Sequence, residues 1–145
     1  MDKPYYPFEI FEDALRFRFT SISSEKSVEK VISFSKTQFD GIYNLALLDI
    51  LADGSESDMV QTKNKDMEKV LATVFRTMEI FFKYHTNCGI AFSGSTPERT
   101  RLYRIAITRE LESASKLFSI MGIKNGFLYP FEPNIEFDAF LFTLK

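Results

Sequence analysis

The sequence predicts an α+β fold in which two helices pack on a mixed or antiparallel sheet, as a single domain over residues 1–145. Three observations predict it. The first third alternates apolar and polar residues, residues 67–82 carry a helical apolar stripe, and the last stretch returns to strand-like patterning. A chain of 145 residues suits one domain and buries a sizeable core without disulfides or metals. Its 45% hydrophobic and 26% charged residues are ordinary globular usage, which excludes a disordered chain.

The elements follow in order. Leu15, Phe17 and Phe19 alternate with Arg16, Arg18 and Thr20, the period of a half-buried strand. Ile32 and Phe34 alternate with Ser33 and Ser35 in the same way over residues 30–36. Phe39, Asp40 and Gly41 supply turn chemistry. Residues 42–51 are apolar on both faces, which predicts a central strand, although a buried helix has the same pattern. A polar loop at residues 52–58 separates the two differently patterned halves. Met67, Val70, Leu71, Val74, Phe75, Met78, Phe81 and Phe82 then form one stripe of an amphipathic helix. Asn64 is a candidate cap, and Asp66 and Glu68 suit the positive end of its dipole.

The helix ends near residues 84–87, and residues 88–92 read as a short buried strand. Ser95 and Glu98 have capping-box spacing around Pro97, which predicts a helix over residues 97–121 ended by Gly122. The alternation of Tyr103, Ile105 and Ile107 leaves a second reading open, in which residues 100–108 form a hairpin strand against residues 90–92. Phe127, Leu128 and Tyr129, followed by Pro130, suit an edge strand. Residues 137–144 form a longer, two-sided apolar strand. The order β-β-β-α-β-α-β-β begins as ribonuclease-H-like folds do, a likeness of element order that carries no function.

Phenylalanine is abundant, 16 residues with 6 Tyr and no Trp, and is read first as core. A net charge of −2 argues against a broadly basic nucleic-acid surface. One cysteine, Cys88, cannot form an internal disulfide and points to a reducing compartment. The first residues lack a signal-peptide pattern, and no apolar run is long enough to span a membrane. The expected setting is cytoplasmic, with no membrane partner.

Chemistry concentrates in one segment. A strand, a Gly94-Ser95-Thr96 loop and a helix start would present backbone N–H groups and a positive dipole end, an anion-binding arrangement. Arg99 can fork onto phosphate or carboxylate, and Tyr103 is its i, i+4 neighbour. The candidate ligand site is therefore Ser95, Thr96, Arg99, Arg101 and Tyr103. Four of the seven arginines, Arg99, Arg101, Arg104 and Arg109, fall within this stretch. The plain alternative is that Ser95 and Thr96 only cap, Gly94 only relieves a turn, and the arginines are solvated or paired with Glu98, Glu110 and Glu112. A full phosphate loop needs more glycine and a lysine, and no cofactor is expected. The string Gly94-Ser95-Thr96 followed by Arg99-Thr100-Arg101-Leu102-Tyr103 resembles one found in a family of small, uncharacterised bacterial proteins, mostly from Bacteroidetes-like genomes. That resemblance implies a family and no mechanism.

Other constellations are thinner. His85 and Cys88 lack the partner ligands that a metal site requires. Asp49 and Asp53, with Glu68 and Glu79, could gather around Mg²⁺ in a metal-dependent nuclease, although the first and fourth strands lack well-placed acids. Arg16, Arg18 and Lys36 beside Tyr6 and Phe11 could form a base-stacking face. The reading that results is a non-enzymatic binding or interaction module with an anionic or nucleotide-like ligand at residues 94–103. The alternatives are a nucleic-acid-binding protein or nuclease, and a protein–protein component of a small two-gene module.

Overall fold

Alternation in the first third becomes an antiparallel meander. The computed structural model describes residues 4–22, 26–58 and 66–145. Strands β1 (Glu9–Phe11), β2 (Arg16–Ile22), β3 (Ser27–Lys36) and β4 (Ile42–Ile50) pair in succession, and the two-residue β5 (Glu56–Ser57) adds to the far end of β4. Phe17 and Phe19 are buried while Arg18 points out, as the period of two requires. The β1–β2 turn is tight: Glu12, Asp13 and Ala14 have φ of 54°, 56° and 64°, a left-handed run unusual without glycine. Gly41, at φ 76°, turns the chain into β4.

Helix α1 (Met67–Tyr84) then crosses the sheet with its predicted stripe inward. Asn64 lies outside the described residues. Asp66 holds the N-cap position without a side-chain capping bond. Its Oδ2 instead accepts from the Tyr6 hydroxyl and from Ser21 Oγ, each at 2.5 Å. Strand β6 (Gly89–Phe92) returns parallel to β4, so β4 is central, as its two-sided apolar pattern predicts. Helices α2 (Pro97–Arg109) and α3 (Leu111–Leu117) follow, then β7 (Phe118–Lys124), β8 (Phe127–Pro130) and β9 (Ala139–Leu144). The sheet order is β1-β2-β3-β4-β6-β9-β7-β8, with β5 on β4. It is mixed, and β8 is an edge.

Residues 100–108 are helical, so the hairpin reading is set aside. The single helix to residue 121 is corrected. The chain breaks at the buried Glu110, whose backbone N–H closes α2 while its carbonyl accepts from Ala114 N at 2.8 Å to open α3. Residues 118–122, expected as helix and helix stop, belong to strand β7. Gly122 ends no helix: it pairs with Phe140 and Tyr129 in mid-strand, and a Cβ there would stand 2.3 Å from the Phe137 ring. The glycine makes room for an aromatic.

One apolar cluster joins both halves. Phe34 stacks on Phe81, Phe75 meets Phe142, and Phe82 meets Phe118, so α1 touches strands β3, β9 and β7 on both sides of the β4–β6 pair. Most phenylalanines are therefore core, as expected, with Phe11, Phe39 and Phe127 exposed. An ion pair, Lys30–Asp49, is also buried. These two are cross-strand partners, and Lys30 also faces the buried Phe19, which puts the pair on the helix-covered side of the sheet. Among the described residues no helix is long and apolar enough to cross a membrane.

Candidate functional site

The 94–103 segment sits where β6, the parallel partner of β4, runs out. Its loop folds back on the start of α2. Gly94 allows this, because a Cβ there would stand 2.5 Å from Arg99 Cβ and 2.6 Å from Thr100 N. Gly94 N–H donates to Thr100 Oγ1 at 3.0 Å, and Thr100 Oγ1 donates to the Thr96 carbonyl at 3.2 Å. The cap is one residue later than expected: Thr96 Oγ1 accepts from Arg99 N at 3.3 Å, with Pro97 in the first turn. The Ser95–Glu98 capping box does not form.

The five predicted residues divide between two sides of α2. Ser95, Arg99 and Tyr103 face the β4–β5 side. There Ser95 Oγ donates to the Asp58 carbonyl at 2.9 Å, and Arg99 Nη1 donates to the same carbonyl and, at 2.7 Å, to Ser95 Oγ. Arg99 thus fastens the loop to the residue after β5. Tyr103 is only 7% exposed, with its ring stacked on Phe92 at 4.5 Å. Burial pushes its hydroxyl up to about 12, opposed by the Arg99 charge and aided by Asp49 and Asp58. It is a proton-bearing donor throughout the physiological range.

Arg101 lies on the other side. It lines a groove of about 460 Å³ with Arg104 on α2, Lys124 and Asn125 at the β7–β8 turn, and Glu136 and Asp138 before β9. Asp138 Oδ2 is engaged by Asn125 N–H at 2.9 Å. Arg104 Nε is buried and has no acceptor among the described residues. A buried guanidinium N–H without a partner is costly, so its lack of an acceptor calls for explanation. Thr96, Thr100 and Gly94 line the same groove. Arg104 was legible as part of the arginine run. Lys124 was not, because only the β7–β8 turn brings it across.

The remaining constellations are not assembled. Asp49 is paired with Lys30, while Asp53 sits in an exposed turn accepting from Ser55. Those hydrogen bonds hold the Asp53 carboxyl below its ordinary range. Among the described residues no three of His, Cys, Asp and Glu could share a metal ion. His85 stacks on Phe81 at 4.7 Å, and its Nε2 lies 3.2 Å from the Asp13 carbonyl. Of the candidates for a base-stacking face, Phe11, Arg16 and Arg18 line one surface groove, and Tyr6 does not join them. Arg16 pairs with Glu56, Arg18 with Glu29, and Tyr6 is buried beneath α1 with its backbone N–H on Thr73.

No curated protein and no solved structure matches the chain. A family model covers residues 2–145, nearly the whole sequence, and by that match the chain belongs to the family described as "Family of unknown function (DUF6934)".

Proposed function

We propose that this protein is a non-enzymatic binding module whose ligand is anionic and nucleotide-like, held along the 94–103 segment with its negative charge in the Arg101–Arg104–Lys124 groove. The observation that carries the reading is the convergence of Arg101 and Arg104 from α2 and Lys124 from the β7–β8 turn on one groove. Arg and Lys are the side chains that bind phosphate or carboxylate. Three cations, Arg101, Arg104 and Lys124, line the groove against two carboxylates, Glu136 and Asp138, which leaves a positive excess. A bacterial, cytoplasmic setting fits the motif resemblance and the lone Cys88.

Thermal stability tests this. Wild type, Arg101→Ala and Arg104→Ala are compared in phosphate, nucleoside monophosphates and short single-stranded RNA. A ligand at about 100 times its Kd stabilises by about 2.7 kcal/mol. A mononucleotide or phosphate shift in wild type that is lost in both folded variants is the expected result. An equal shift in all three proteins would remove the ligand from this groove, and a shift with RNA alone would favour the nucleic-acid reading.

One observation favours a second reading, a protein–protein component. Edge strand β8 exposes Phe127, Leu128 and Tyr129 together, with Phe127 67% exposed. An uncovered apolar edge is a pairing surface.

A further inference from the structure

Helices α1, α2 and α3 lie on one side of the sheet. Residues opposite one another in a ladder share a face, so the registers sort the strand residues into two faces. Phe17, Ile32, Leu45, Phe92, Phe140 and Phe118 share the face that builds the core, and Phe81, Tyr103 and Ala114 bring the three helices to it. On the opposite face, β4, β6, β9, β7 and β8 present no charged residue. Ala91, Leu141, Met121 and Pro130 form one row across four strands, and Ala139, Ile123 and Leu128 form the next. Leu141, Met121 and Ile123 are half-buried, and none of these side chains packs against the core cluster.

A sheet with one wet side ordinarily alternates apolar in and polar out. Strands β2 and β3 do so: their outer residues include Arg16, Arg18 and Glu29, with Arg16 paired to Glu56 and Arg18 to Glu29. The other strands do not, and the helices account for only one side of the two-sided apolar pattern of β4 and β9. The bare field is also flat. A Cβ at Gly89 would stand 3.0 Å from Ile42 Cδ1 and 3.4 Å from Leu141 Cδ1, so neighbouring side chains lean across the glycine and fill its place. Asp58 and Asp66, the described residues on either side of 59–65, are bonded to groups on the helix side, Ser95 and Arg99 for one and Tyr6 and Ser21 for the other.

We propose that this field is a self-association surface, covered in solution by the same field of a second copy, sheet packed face to face on sheet. A field without charge gives a charged partner nothing to pair with, and its own two-fold image brings no like charges together. The charges of this face, on β1, β2 and β3, stand outside it. Two such sheets stack about 10 Å apart with their strands within about 30° of each other. At about 4.8 Å per strand and about 3.4 Å per residue, five strands about five residues long cover roughly 400 Å² in plan. A specific interface buries about 800 Å² per partner. The field supplies the apolar centre of one, and Ser33, Ser35 and Ser119 an uncharged rim. That size points to a reversible, micromolar dimer. The Arg101–Arg104–Lys124 groove lies on the helix side, so both copies keep it open and each surface is tested without the other.

Sedimentation across a dilution series is measured for wild type and Met121→Lys. Methyl NMR of wild type is recorded with a soluble nitroxide at low and at high protein concentration. The expected result is a wild-type dimer whose Kd rises about tenfold or more in Met121→Lys. The methyls of Met121, Ile123 and Leu141 are then shielded from the nitroxide only at high concentration. A wild type that stays monomeric into the millimolar range, an equal dimer in the folded variant, or methyls equally accessible at both concentrations would overturn the self-association surface. The methyl measurement needs no variant, so it decides even where Met121→Lys does not fold. Pairing through the β8 edge reads differently. Phe131 N–H points inward to the Ile120 carbonyl, so by alternation that of Leu128 points outward. Edge pairing alone would slow exchange of the Leu128 amide and leave the Met121 and Leu141 methyls accessible.

Discussion

Lys30 is the residue whose setting departs furthest from its type. An ammonium 1% exposed is tolerated because Asp49 lies directly across the β3–β4 ladder. The second carboxylate oxygen of Asp49 has no partner among the described residues, so the pair is only partly satisfied. Lys30→Met, leaving a lone buried carboxylate, should cost about 3–5 kcal/mol, whereas Lys30→Met with Asp49→Leu should be near neutral or stabilising. Urea unfolding of both variants decides this. If the double variant is as weak as the single, the pair is worth more than its apolar substitute. Tyr103 gives a titration at the same scale. Its hydroxyl is raised from 10.0 to about 12 in the folded chain, so the unfolded chain releases this proton first as pH rises. Its contribution to stability is complete below about pH 10 and is lost as pH rises through about 12. Tyrosinate absorbance should show a late-titrating fraction in wild type that shrinks in Tyr103→Phe, with Tyr6, also raised by burial and by its bond to Asp66, remaining.

At the scale of elements, legibility followed periodicity and failed where two periods compete. The α1 stripe and the alternation in β2 were plain because each had several consistent turns or pairs. The 97–124 stretch was not, since Ser95, Pro97 and Glu98 start a helix whose end carries no glycine or proline. The break at Glu110 has no local breaker: it comes from a buried acid between two short helices, a tertiary effect. Gly122 was misread because a glycine after a helical run usually ends it, and its cause, the Phe137 ring, lies 15 residues downstream by number. Strands β1 and β5, of three and two residues, are too short for any period to show. The candidate site was legible as a segment but not as two surfaces. Helical spacing already separates Arg99 and Tyr103 from Arg101. What each side faces depends on where β4 outlasts β6 and where the β7–β8 turn lands.

The whole molecule presents an open sheet with two exposed ends. Strand β1 shows Ile10 and Phe11 at one end, and β8 shows Phe127, Leu128 and Tyr129 at the other. Neither carries a lysine within the strand to discourage pairing. Concentration-dependent association is therefore expected in solution, and Leu128→Lys should reduce it without lowering Tm by more than a few degrees. Light scattering across a dilution series reads it out, and a wild type that stays monomeric at high concentration would show that the β8 edge does not pair with itself.

Only one strand pairing among the described residues links the first five strands to the last four: the parallel run of Ile42 to Leu45 against Gly89 to Phe92. Parallel pairs are somewhat weaker per residue than antiparallel ones, and this run is four residues long while β3 and β4 share seven. The molecule therefore has a parting line, held across by α1. Partial opening would unzip it from the end where β6 stops, beside Tyr103. The bridge from Ser95 and Arg99 to the Asp58 carbonyl crosses the same line and acts as a rivet beside it.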